Sequence, residues 1–114
     1  LEQSRFGVAM DESGASEALA ALGNRTRLRL FRLLVRAGED GLNVGEAQRH
    51  LDVPASTLAH HFAHLTRAGL ITQERRGREV VCRADFTAMN ALMGFLTEAC
   101  CTGLEREEAD PDAA

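Results

Sequence analysis

A mostly helical domain carrying one β-hairpin, a winged helix-turn-helix, is the fold class this sequence predicts, and three stretches predict it. Residues 53–71, VPASTLAHHFAHLTRAGLI, repeat apolar side chains at Leu58, Phe62 and Leu65, the i, i+4, i+7 spacing of one helix face. The segment before it, LNVGEAQRHLD, reads as a shorter helix, and the two meet across a turn at Asp52, Val53 and Pro54. The segment after it, ITQERRGREVVCRA, reads as two strands turning at Arg76 and Gly77, with Arg75, Arg76 and Arg78 at the tip. Two helices followed by such a hairpin are a helix-turn-helix with its wing.

In chain order, residues 1–14 are polar and glycine-containing and are expected to form a mobile N-terminal arm. Residues 15–102 are expected to make the DNA-binding and dimerisation domain, and residues 103–114 an acidic disordered tail. The domain opens with a short helix, ASEALAAL (15–22), broken at Gly23, after which Asn24 caps the next helix. In residues 26–37, Leu28, Phe31, Leu34 and Val35 are expected to face the core. Arg25, Arg29, Arg32 and Arg36 line the other side, as a solvated face or as help with phosphates. A loop follows over residues 38–41. Asn43 then caps the first helix of the pair, with Glu46 three residues on completing a capping box and Val44, Ala47 and Leu51 as its apolar positions.

In the second helix Pro54 sits where its missing N–H costs nothing, and Gly69 ends the helix. Ser56, Thr57, His60 and His64 project away from the apolar stripe. Short hydroxyl side chains at the start of such a helix let its backbone approach base edges and phosphates. His60 and His64, one turn apart, have the spacing of a metal pair, but on this helix contact with DNA is the stronger reading. The wing arginines Arg75, Arg76 and Arg78 suit phosphates or a minor groove.

The last helix is expected from its cap at Asp85 to about Cys101. Phe86, Met89, Met93, Leu96 and Cys100 form a heptad-like seam, while Leu92, Phe95 and Ala99 make a second apolar face. A helix apolar on two sides must bury both. One face covers its own domain and the other, Phe86, Met89, Met93 and Leu96, is expected to meet the same helix of a second copy in a homodimer.

Composition agrees. With 114 residues and only five Phe as aromatics, the chain builds one small core of Leu, Val and Ala, which favours help from a partner subunit. The net charge of −4 looks wrong for a DNA binder, but the acids concentrate at the ends: residues 18–104 carry eleven Arg against eight acids. No secretory signal and no long apolar run appear, so a cytoplasmic location without membrane contact is expected. Three cysteines, an odd number, suit ligand-binding thiols better than a disulfide frame.

Together, ALGNRTRLRLFRLL (21–34), STLAHHFAHLTRAGLI (56–71), RRGREVVCRA (75–84) and FTAMNALMGFLTEACC (86–101) resemble the arsenical-resistance repressor family, ArsR/SmtB, over residues 16–101. The resemblance implies a homodimeric repressor on double-stranded operator DNA, with no cofactor required and a bound metal or metalloid as the releasing signal. It also implies that His61 packs toward the domain. Many relatives place arsenic-binding cysteines in the helix before the recognition helix, where this chain reads LNVGEA and has none. Zinc and nickel sensors use Asp and His along the final helix, where this chain has Asp85 and Glu98 but no His. The chain looks most like members whose thiols follow the wing and close the last helix, a group that responds to trivalent arsenicals, organic ones included.

The candidate ligands are therefore Cys82, at the end of the second wing strand, and Cys100 and Cys101. Zinc usually takes four ligands in a tetrahedron. Trivalent arsenic or antimony takes three thiolates, and an arsenical already bearing one organic group takes two. Eighteen residues, nearly all helical, separate Cys82 from Cys100, roughly 20–25 Å along one chain at about 1.5 Å per residue. A three-sulfur site is thus expected across the dimer, Cys82 of one subunit meeting the Cys100–Cys101 pair of its mate. The alternative on the same scaffold is a redox or persulfide sensor using these thiols. A thiol enzyme is not expected, because no C-x-x-C occurs and no His neighbours the cysteines in sequence.

Overall fold

The computed structural model describes residues 10–104. Five helices and a two-stranded antiparallel sheet follow one another: α1 (Glu12–Leu22), α2 (Arg25–Ala37), a 3-10 turn (Gly38–Asp40), α3 (Val44–Leu51), α4 (Ala55–Arg67), β1 (Ile71–Arg76), β2 (Glu79–Ala84) and α5 (Phe86–Thr97). The expected winged helix-turn-helix is present.

Local chemistry fixes each boundary. Asn24 Oδ1 accepts from the Arg27 N–H at the start of α2. Asn43 and Glu46 exchange both bonds of the capping box that opens α3. Asp52, in the left-handed region at φ 54°, turns the chain from α3 into α4. Gly69, at φ 79°, closes α4. Its N–H donates to the Thr66 carbonyl and that of Leu70 to the Leu65 carbonyl, a Schellman arrangement. The wing turns over Gly77 and Arg78, with Arg76 opposite Glu79 and Glu74 opposite Val81.

Leu30, Leu34, Leu58, Leu65, Leu70 and Phe62 form the centre of the core, where α2 and α4 pack together. α5 closes it with Ala88 and Leu92.

Four expectations shift. α1 starts at Glu12 rather than residue 15, because Asp11 caps it by accepting from the Gly14 N–H, and Met10 is buried against the core. The rest of the expected arm, residues 1–9, and residues 105–114 of the expected tail lie outside the described residues. Leu28 does not join the core: it is 43 % exposed, and Leu30 takes the buried place beside Phe31 and Leu34. Cys82 is the fourth residue of the six in β2, not its end. Finally, α5 stops at Thr97, where Glu98 turns to an extended conformation (ψ 134°), so Cys100 and Cys101 lie in a run of turns beyond the helix.

Candidate nucleic-acid interface and thiol site

α4 presents the helix-turn-helix surface. Leu58, Phe62 and Leu65 face inward, leaving Ser56, Thr57 and His60 exposed and His64 half-buried. The exposed side chains are those expected to meet bases. Beside them Nδ1 of His61 is buried without a hydrogen-bond partner. Burial first, then the nearby Arg27, hold His61 below the usual imidazole range. The same two causes, followed by Arg67, lower His64.

Arg75, Arg76 and Arg78 lie exposed at the wing tip as expected. Their freedom differs. Nε of Arg76 sits 3.4 Å from a Glu74 oxygen. Arg75 and Arg78 have no such ion pair among the described residues. Glu74 also receives the Arg83 guanidinium at 2.8 Å, and the bonds from Arg83 and Arg76 hold its carboxyl below the usual range.

Arg83 belongs to a set of contacts the sequence reading missed. Its Nε donates to the Glu39 carbonyl at 2.6 Å, tying β2 to the turn before α3. Leu42 and Cys82 exchange two backbone hydrogen bonds of 2.9 and 2.8 Å. Asn43, the cap of α3, donates its side-chain amide to Glu79. The wing is thus fastened at three points to the segment that leads into α3. A signal existed: the two-residue turn places residue 74 opposite 81, which makes Arg83 its diagonal neighbour on the same face.

The three cysteines separate into two environments. Cys82 is 1 % exposed and sealed into the core. Burial pushes its thiol up, opposed by a hydrogen bond with Gln73 and by Arg83. Cys100 and Cys101 are exposed, with their sulfurs 3.1 Å apart. The hydrogen bond with Cys101 raises the Cys100 thiol. Ala99 and Cys101 take left-handed backbone angles, φ 57° and 63°, which fold the pair's segment back on itself. Two bonds of roughly 2.3 Å, the length of a Zn–S bond, meeting near a right angle would span about 3.3 Å. The pair is therefore spaced to chelate one soft, thiophilic centre. Among the described residues no three Cys, His, Asp or Glu side chains gather into a metal-sized group. To supply a third sulfur, Cys82 would have to leave the core.

Phe86, Met93 and Leu96 stand 37, 59 and 58 % exposed along α5, and Met89 is partly buried against the core. No helix among the described residues is long and apolar enough to cross a membrane.

Two helices joined at Asp52, with a basic wing fastened beside them, define a winged-helix DNA-binding domain. A helix-turn-helix domain model matches residues 22–74. An arsenical resistance operon repressor by name, from Halobacterium salinarum, is 43 % identical over 60 residues, 53 % of this chain and 46 % of that protein, so the chain matches about half of that relative's length. A solved structure described as a "Possible transcriptional regulator for arsenical resistance" is 30 % identical over 70 % of this chain and 80 % of its own, with a TM-score of 0.62. Reduced HlyU from Vibrio cholerae is 28 % identical over 78 % of this chain and 90 % of its own, with a TM-score of 0.61. The chain belongs to the ArsR family of winged-helix transcriptional regulators.

Proposed function

We propose that this chain is a homodimeric repressor that binds a two-fold operator and leaves it when a trivalent arsenical or antimonial bonds to Cys100 and Cys101. The observation that carries the reading is the exposed sulfur pair at 3.1 Å, placed just beyond the apolar seam of α5. A monosubstituted arsenical, RAs(OH)2, exchanges its two hydroxyls for the two sulfurs. Each thiol proton leaves with a hydroxyl as water, and arsenic keeps its organic group and lone pair. The ligand set needs no third sulfur, and Cys82, buried and with a raised thiol, stays out of it. Inorganic arsenite and antimonite, which favour three thiolates, are weaker inducers on this reading. The arsenical-resistance relatives support the metalloid class.

The coupling runs through α5. Closing the two sulfurs on one atom fixes the turn after Thr97 at the end of the seam Phe86, Met93 and Leu96. A shift in how two seams pack changes the spacing of two α4 helices, which must reach half-sites about one DNA turn apart. Two sites that bias one dimer arrangement are linked reciprocally. Ser56, Thr57, His60 and His64 face the bases, and Arg75, Arg76 and Arg78 hold the backbone.

The HlyU likeness keeps a redox role for the thiols as the competing reading. Adjacent residues hold their Cα atoms about 3.8 Å apart, short of the usual ~4.4–6.8 Å of a disulfide, which disfavours one within the pair. Fluorescence anisotropy of an operator duplex, titrated in parallel with methylarsenite, arsenite, antimonite, zinc and peroxide, tests the proposal. Release by methylarsenite at the lowest concentration supports it, and release by peroxide alone replaces it with the redox reading.

A further inference from the structure

The apolar residue that should have been buried and is not, Leu28, opens onto a groove of about 640 Å³. The end of α1 (Leu22), α2 (Leu28, Phe31), the end of α3 (Leu51) and the start of α5 (Met89) line it. Its rim is basic: Arg29, Arg32 and Arg36 stand along α2, and His50 faces them from α3. Among the described residues no acidic side chain lines the groove. None of the three guanidinium groups has a hydrogen bond or ion pair among the described residues. Arg29 to Arg36 spans about 10 Å of helix.

We infer that this groove is a second ligand site, distinct from the thiol pair, for a small amphipathic carboxylate. An apolar floor with few convergent polar groups, in the ~300–1,000 Å³ range, is the build of a small-molecule site. The unpaired guanidinium groups supply the fork that a carboxylate accepts bidentately, and Leu28 and Met89 take its apolar chain out of water. The site joins the first helix of the DNA-reading pair to the helix that carries the seam, so its occupant touches both halves of the repressor. Neither Cys100 nor Cys101 lines the groove.

The test uses the purified full chain and the fluorescent fatty acid cis-parinarate. The protein has no Trp and no Tyr, so the probe is read without interference from intrinsic emission. Saturable binding, displaced by decanoate but not by acetate or by the same concentration of decanol, is expected. The triple variant Arg29→Ala, Arg32→Ala, Arg36→Ala should bind at least tenfold more weakly and lose its preference for decanoate over decanol. Leu28→Asp should abolish binding with an unchanged thermal melt, and should it fail to fold, the arginine variant decides alone. Three results would overturn the inference: no saturable binding, equal displacement of wild type by decanol and decanoate, or probe binding unchanged in the variants. A change of wild-type dimer to monomer on Leu28→Asp would also overturn it, by assigning the groove to a second copy of the chain.

Discussion

Gly41 is where the wing meets the helix-turn-helix most tightly, and replacing it with alanine should be costly. Its backbone sits at φ 64°, ψ −171°, a region nearly reserved for glycine. A β-carbon there would lie 2.6 Å from the Cys82 carbonyl oxygen and under 3 Å from the side chains of Val81 and Arg83. The Cys82 carbonyl cannot yield freely, because it accepts the Leu42 N–H. Strain of this kind costs about 1–3 kcal/mol. Displacing β2 adds the loss of one or two backbone bonds at roughly 0.5–1.5 kcal/mol each. Gly41→Ala should therefore lose about 2–4 kcal/mol in urea unfolding, measured at fixed protein concentration. It should also weaken operator binding under conditions where the variant is fully folded, since the wing can no longer hold its angle to α3. A loss below about 1 kcal/mol, with operator affinity intact, would refute the view that the Leu42–Cys82 junction fixes the wing.

Other consequences are open to direct measurement. Arg75→Ala with Arg78→Ala should flatten the salt dependence of DNA binding by about 1 per lost phosphate contact, whereas Arg76→Ala should change it less because Glu74 already holds that guanidinium; equal slopes for all variants would mean that the tip does not touch DNA. On α4, a phosphate near His64 would raise a ring that the free protein holds low. The free energy gained is then fully present below the ring's free-state range and is lost as pH rises through its bound-state range, so operator affinity should climb on acidification and flatten at higher pH. His64→Gln should blunt that climb, and a pH-independent affinity would remove histidine from the interface. Met93→Glu or Leu96→Glu places a charge in the seam and should give monomers by light scattering with little change in the isolated fold, since both are largely exposed; a dimer that still binds operator would put the interface elsewhere.

The elements were legible wherever one residue type decides the backbone. Asn24, the Asn43 and Glu46 pair, and Gly69 act through bonds or angles that neighbours cannot supply, and each stands where the sequence put it. Periodicity was less safe. In α2 the apolar residues admit two phases, and only packing chooses Leu30 over Leu28. At the end of α5, Phe95, Ala99 and Cys100 keep a helical pattern with no breaker among them, yet the helix ends at Thr97. Alternation along β2 predicts one buried face. Both Val81 and Cys82 are buried because the strand has the core on one side and the Gly41–Leu42 segment along its edge. That is why Cys82, two residues from the strand's end, lies in the core.

In the proposed sensor, two adjacent thiols are enough. The decisive measurement compares wild type, Cys82→Ser and the Cys100→Ser, Cys101→Ser double variant, each bound to a labelled operator duplex and titrated with methylarsenite while anisotropy is followed. All three should bind the duplex. Wild type and Cys82→Ser should release it at closely similar methylarsenite concentrations, and the double variant should stay bound throughout. Release of the double variant at the wild-type concentration, or a Cys82→Ser protein that binds operator normally and no longer responds, would contradict a sensor built on Cys100 and Cys101 alone.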